Sequence, residues 1–320
     1  ASRVRYPEDM LSQVTDQATF IALAERHRPE LRVHCYRMLG SLHDAEDLVQ
    51  ETFLKAWHKR DSFEGRSSLR AWLYAIATHG CLDFIAAKRS ALPPPEEIPW
   101  LEPFPDRLLE PAAPRDAEPD AVVIARETME LAYLVAIQFL PPTQRAVLIL
   151  RDVLDWSAKD TAELLDLSVA SVNSALQRAR ETLREHRPSR RPDPAEEQRE
   201  LLERVVSATE RGDVRGLAEL LREDVRFSMP PEPGVWVGRD EVVGTWVKGG
   251  FGSPSFGDVR CVVTRANGMP ALACYLRGPG EAEYRPLALD VLRIEDGKIV
   301  EVTTFALEPF VKAFDLPPAL

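Results

Sequence analysis

Apolar residues recur at helical spacing through the first 190 positions and turn mainly to strand-like spacing in the last third. From Phe20 to Leu39 they fall three or four apart, with an interruption at Pro29. Ser41-Leu-His-Asp44 then offers a cap for a helix over 45–58, with Leu48, Phe53, Leu54 and Trp57 at core spacing. After a polar loop, Lys59–Ser68, a third helical run covers 69–89, so residues 15–90 are predicted to form a bundle of three or four helices. Helical spacing returns over 122–139 and 145–154, the second opened by Pro141-Pro-Thr-Gln144. Two short helices follow, Asp160–Leu165 and one capped by Ser168, separated by Asp166-Leu167. This is the outline of a helix-turn-helix. In its second helix Val169, Val172, Leu176, Ala179 and Leu183 form the packing stripe. The opposite face carries Ser171, Asn173, Ser174, Gln177 and Arg178, short polar groups suited to base edges. Arg180 and Arg184, with Arg187, Arg190 and Arg191 beyond them, suit phosphates.

From residue 196 the pattern becomes mixed. Helices are predicted over 196–211, 214–221 and 239–248, and strands over 225–229, 259–264, 271–277, 286–294 and 299–306. Asn267-Gly268 is a two-residue hairpin signal. The register it sets places Arg265 opposite Pro270, at a site where a proline removes no ladder hydrogen bond, and Cys261 opposite Cys274. That cysteine pair reads either as a redox-linked pair or as two small core residues. On the strand Ala288–Ile294, Asp290 shares a face with Ala288, Leu292 and Ile294. With Met229, Trp236, Trp246 and Tyr275 it makes a candidate pocket for a small-molecule ligand, the alternative being ordinary core.

Charge sharpens the division. The 320 residues carry a net −11, unusual for a chain with a DNA-reading helix, but the charge is unevenly spread. Counting Lys and Arg against Asp and Glu, residues 1–90 and 122–191 are each +1, residues 91–121 are −6, and residues 192–320 are −7. Neither helical segment would hold DNA tightly alone, so a partner is expected to supply positive surface. Residues 91–121 are an acidic, proline-rich linker, with Pro93-Pro-Pro95 at its start, that cannot form regular structure over its length. Trp100, Leu101 and Phe104 within it are apolar anchors that a plain spacer would not need. Four cysteines in no metal-ligand spacing predict a reducing, cytoplasmic setting with no structural metal and no cofactor. No apolar run approaches the ~18 residues of a membrane span, and Ala1–Asp9 lacks the apolar core of a signal peptide.

Several ordered motifs resemble the extracytoplasmic-function (ECF) sigma factors of bacterial RNA polymerase. Asp44-Ala-Glu-Asp-Leu-Val-Gln-Glu-Thr-Phe-Leu-Lys-Ala-Trp57 is similar to the polymerase-binding helix of sigma region 2. Leu69-Arg-Ala-Trp-Leu-Tyr-Ala-Ile-Ala77 is similar to the start of the −10 reading helix. Leu140-Pro-Pro-Thr-Gln-Arg-Ala-Val-Leu148 and the helix-turn-helix resemble region 4. Leu221-Arg-Glu-Asp-Val225, Met229-Pro-Pro231 and Trp236-Val-Gly-Arg239 resemble a SnoaL-like domain of the NTF2-like cone fold. The resemblance implies a multidomain chain: all-α region 2 (15–90), the linker (91–121), all-α region 4 (122–187) and an α+β NTF2-like cone (196–320).

It also implies partners and sites. Asp44, Asp47, Gln50, Glu51 and Lys55 would dock on the beta-prime clamp helices of core RNA polymerase, while region 4 would meet the beta flap. Phe63, Glu64, Gly65, Arg66 and Ser67 fall in the loop that holds an unstacked −10 base, with His79, Lys88 and Arg89 beside promoter DNA. Trp72 and Tyr74 are aromatic candidates for stacking, Trp72 reading better as core. At −35 the family usually carries arginines at positions 173 and 175, so Asn173 and Ala175 imply a weaker grip. The acidic linker would thread toward the polymerase cleft. NTF2-like cones include enzymes, but the last third contains no His, and Asp290 stands alone as an inward acid. Regulation in cis, rather than catalysis, is expected of it. A stand-alone helix-turn-helix regulator with a ligand-sensing cone would explain the second helix, but not the 44–57 motif or the linker.

Overall fold

The computed structural model describes residues 17–60, 63, 68–91, 101–109, 129, 131–186 and 195–320. The chain forms two compact units. One comprises residues 1–101 and 108–187, the other 102–107 and 188–320.

In the first unit, α1 (Gln17–Glu25), α2 (Arg28–Leu39), α3 (Leu42–His58) and α4 (Leu69–Ala91) form the expected bundle. Pro29 opens α2 instead of breaking it, because a first-turn proline forfeits no intrahelical bond. The helix stops at Gly40, left-handed at φ 75°, where a Cβ would lie 2.5 Å from the Leu101 side chain. Ser41 caps α3 by accepting from the Asp44 N–H at 3.1 Å. Phe20, Leu31, Met38, Leu48, Leu73 and Tyr74 fill the core. Leu54 corrects the sequence reading: it is 61% exposed, not core.

A polar strand of contacts crosses this core. The Thr78 hydroxyl donates to the Tyr74 carbonyl at 2.7 Å, so His34 Nε2–H must donate to Thr78 Oγ1 at 2.9 Å. Burial holds the His34 imidazole down at a pKa of about 3, against 6.5 ordinarily. An unfolded chain therefore takes up this proton first as the pH falls below 6.5, and stability drains away down to about pH 3. Below about pH 6 this site should cost about 1.4 kcal/mol per pH unit. Urea titrations at several pH values check it: the difference in stability between wild type and His34→Gln, which keeps a donor for Thr78, should change steadily with pH. A constant difference would show that His34 does not titrate on unfolding.

The same unit holds α5 (Leu131–Gln138), α6 (Pro142–Leu148), a π turn over Ile149–Val153, α7 (Ala158–Leu164) and α8 (Val169–His186). The run expected at 145–154 thus starts three residues earlier and widens in its last turn. Ser157 and Ser168 cap the last two helices, and Asp166 turns between them at φ 53°. Buried Arg145 joins the two helical segments. Its guanidinium donates to Met38 O at 2.5 Å in the α2 end, and to Gln138 Oε1, Gln138 O and Leu140 O. Gln138 Nε2 in turn donates to Arg37 O at 3.2 Å. Tyr74 and Trp156 pack nearby with ring planes tilted by 55° and centroids 5.6 Å apart.

The second unit is a six-stranded sheet ordered β2-β1-β6-β5-β4-β3. Its strands are β1 (Leu221–Ser228), β2 (Trp236–Val237), β3 (Asp258–Ala266), β4 (Met269–Arg277), β5 (Arg285–Glu295) and β6 (Lys298–Ala306). β1 runs parallel to β6 and the other neighbours are antiparallel. α9 (Ala195–Glu210), α10 (Val214–Leu220) and α11 (Arg239–Lys248) pack on it, Leu201, Val205, Leu217, Leu220 and Val242 meeting Phe227, Leu272, Leu292 and Val302. The β3–β4 hairpin has the expected register, Arg265 against Pro270 and Cys261 against Cys274.

Part of the expected spacer is built into this sheet. Phe104 is fully buried; its N–H donates to Asn267 Oδ1 at 2.9 Å and its carbonyl accepts from Asn267 N–H at 2.8 Å. Asp106 takes the Gly268 N–H at 2.7 Å and pairs with Arg265 at 3.1 Å. Arg107 donates to Ala313 O at 2.8 Å. Residues 102–107 are therefore a strap across the hairpin turn, held by these contacts with no regular structure beyond a 3-10 turn over Asp106–Leu108.

Candidate functional site

The outer face of α8 is assembled as its spacing implies. Val172, Leu176 and Ala179 are buried, while Ser171, Asn173, Ser174, Gln177, Arg178, Arg180 and Arg184 are all exposed. Asn173, Gln177, Arg180 and Arg184 converge with Arg151 on one shallow depression. Arg180 is held there by both carboxylate oxygens of Asp152, at 2.7 and 2.8 Å, so two of its donors are already engaged. Gln177 donates to Glu181 at 3.1 Å. One sequence reading changes: Val169 is 44% exposed despite its place in the apolar stripe, while Ala175 is buried.

On α3, Asp47, Gln50, Glu51 and Lys55 are exposed on one side, with Lys55 3.2 Å from Glu51. Asp44 is half-buried and pairs with Lys88 at 2.8 Å. Leu54 sits among these residues, an exposed apolar group within a polar ring, which core spacing concealed. Around the −10 candidates, Phe63 packs on half-buried Trp72 with centroids 5.1 Å apart. Tyr74 is buried and donates to Glu30 at 3.3 Å, so it is not a stacking platform. His79 Nδ1–H donates to Ala75 O at 2.8 Å, and its Nε2 lies 4.0 Å from Asp166.

The cone holds a cavity of about 560 Å³, open to solvent on one side and lined by Met229, Trp246, Leu272, Ala288, Asp290 and Phe305 among others. Asp290 Oδ1 accepts from the Thr304 hydroxyl at 2.5 Å, and Oδ2 is 3.7 Å from Cys274 Sγ. Burial pushes the Asp290 carboxyl above the usual carboxylate range, against the pull of those two contacts. Cys261 and Cys274 are free thiols with sulfurs 3.4 Å apart; hydrogen bonding to Cys261, then burial, raises Cys274 well above an ordinary thiol. Two expected pocket residues are elsewhere. Tyr275, next to cavity-facing Cys274 on β4, points to the other face of the sheet and donates to Pro317 O at 2.8 Å. Trp236 is absent from the lining and packs on Phe227 with centroids 5.3 Å apart.

The Sigma-70 region 2 family matches residues 23–91, the Sigma-70, region 4 family residues 130–183, and the SnoaL-like domain family residues 202–302. The chain is 41% identical to the ECF RNA polymerase sigma factor SigG of Mycobacterium tuberculosis (strain ATCC 25618 / H37Rv) over 322 aligned residues, covering 94% of this chain and 85% of that protein. The chain belongs to the ECF RNA polymerase sigma factors. A second relative, the ECF RNA polymerase sigma factor SigJ of the same organism and strain, is 31% identical over 293 residues, covering 86% of this chain and 88% of its own. The crystal structure of Mycobacterium tuberculosis SigJ shares the fold, with a TM-score of 0.60 at 24% identity, spanning 93% of this chain and 100% of that one.

In this ECF sigma factor Glu64, Gly65, Arg66, Ser67 and Trp100 lie outside the described residues, as does the Arg89 side chain. Leu101 is buried in the first unit, and Phe104 belongs to the second. No helix among the described residues is long and apolar enough to cross a membrane.

Proposed function

We propose that this ECF sigma factor is a non-catalytic initiation subunit that binds core RNA polymerase through the exposed side of α3 and reads promoter DNA through α8 and the surface around Phe63, His79 and Lys88. The exposed polar face of α8, set on a buried Val172–Leu176–Ala179 stripe, is the observation that carries this reading. Leu54 supports the α3 surface, since an exposed leucine framed by Asp47, Gln50, Glu51 and Lys55 is an apolar anchor within a polar rim. Near-neutral charge in both helical segments makes DNA binding depend on the polymerase. The C-terminal cone modulates activity in cis. Support comes from the strap, through which the connection between the two sigma regions is fastened to the cone at Phe104, Asp106 and Arg107.

Run-off transcription with purified bacterial core polymerase and a selected promoter library tests the proposal. Promoter-dependent transcripts are expected. Arg178→Ala should weaken −35-dependent initiation about tenfold, as befits one base or phosphate contact worth ~1–3 kcal/mol. Leu54→Asp should abolish binding to core while leaving the fold intact. Absence of both transcripts and core binding with the wild-type chain would overturn the reading.

A further inference from the structure

The cavity of the cone has a chemical character of its own. Leu217, Phe227, Phe251, Leu272, Leu292 and Phe305 make its walls mainly apolar, and among the described residues no Lys, Arg or His lines it. Its volume, about 560 Å³, falls within the ~300–1,000 Å³ range of small-molecule sites. The register fixes one polar point deep in the sheet, with Asp290 on β5 between Leu272 on β4 and Thr304 on β6. Thr304 spends its hydroxyl proton on Asp290 Oδ1, which leaves Oδ2 beside only the weakly polar Cys274 sulfur. The surface Asp290 retains opens onto the cavity.

We propose that this cavity is a receptor site for an uncharged, largely apolar molecule carrying one hydrogen-bond acceptor, such as a ketone or ester carbonyl, which engages Asp290. An anion finds no cation in the lining to pair with. Burial among apolar walls favours the neutral carboxyl over the carboxylate, and the neutral form can donate to a carbonyl oxygen. Thr209, Thr245 and Glu232 are the other polar side chains of the described lining, and the rest of the wall contributes by apolar contact. The regulatory meaning of such a ligand rests on the cis-modulation reading above. Binding itself is measured without polymerase, so either idea can fail alone.

The test uses the full chain and prodan, an uncharged naphthalene ketone whose emission shifts to the blue in apolar surroundings. Saturable one-to-one binding with a blue shift is expected. Asp290→Leu should weaken it about five- to tenfold, and Asp290→Asn, which keeps an N–H donor, should stay within about threefold of wild type. Ala288→Trp, which fills the chamber, should abolish binding while near-ultraviolet circular dichroism shows a folded cone. Lack of saturable binding to the wild type would overturn the proposal, as would equal binding by Asp290→Leu. So would equal affinity for a naphthalene probe bearing an alkylammonium group in place of the ketone, because the site would then be a carboxylate that takes cations.

Discussion

Arg145→Leu is expected to destabilise the first unit by about 3 kcal/mol or more. The guanidinium supplies donors to Met38 O, Gln138 Oε1, Gln138 O and Leu140 O, all within buried structure. Leucine satisfies none of them, and each buried acceptor left unpaired costs about 1–3 kcal/mol before relaxation. Arg145→Lys should rescue little, since one ammonium group cannot span the forked geometry. Met38 belongs to α2, whereas Gln138 and Leu140 belong to the start of region 4, so the loss should appear at both places. Hydrogen–deuterium exchange should report faster exchange at the α2 C-terminus and in α6 together, alongside a lower melting temperature. A variant melting within about 1 °C of wild type would show that water or a shifted Gln138 replaces the guanidinium.

The second large effect is expected at the strap. Phe104→Ala removes a fully buried aromatic side chain, a change that ordinarily costs about 3–5 kcal/mol. Urea denaturation measures the loss, and exchange at the Asn267 and Gly268 amides, which donate to Phe104 O and Asp106, localises it. Asn267→Gly separates two contributions at the same place. Glycine accepts the positive φ of 56° but forfeits the carboxamide that receives the Phe104 N–H, so a loss near 1–2 kcal/mol is expected. If Phe104→Ala left exchange at the hairpin turn unchanged, the strap would contribute nothing to holding it.

What the sequence disclosed was what local chemistry decides. Asn267-Gly268 set the hairpin and, with it, the Cys261–Cys274 pairing, because a two-residue turn fixes register for every residue behind it. The α8 face was legible because one side must pack and the other cannot. Asp290 was placed correctly with Ala288 and Leu292, which line the cavity with it, and Ile294 joins Leu292 in the same core cluster. Tyr275 was misassigned: from Met269 to Tyr275 β4 is buried on both faces, so no polar alternation marks which side chains turn inward. Leu54 fits a core period yet stands exposed, since spacing gives the face of a helix but not whether a neighbour covers its edge. The strap depended on partners more than 150 positions away and left only Trp100, Leu101 and Phe104 as a trace.

The hairpin turn also bears on chemical ageing. Asn-Gly sequences ordinarily lose ammonia when the glycine nitrogen attacks the asparagine carboxamide carbon, closing a succinimide that opens largely to isoaspartate. Here both reacting groups are occupied. The Gly268 N–H is held by Asp106, and the Asn267 side chain is buried with its oxygen on the Phe104 N–H. Deamidation at Asn267 is blocked while residues 102–107 stay seated and becomes available once they leave. Isoaspartate at this one peptide would thus accumulate as a covalent record of how long the strap has spent undone.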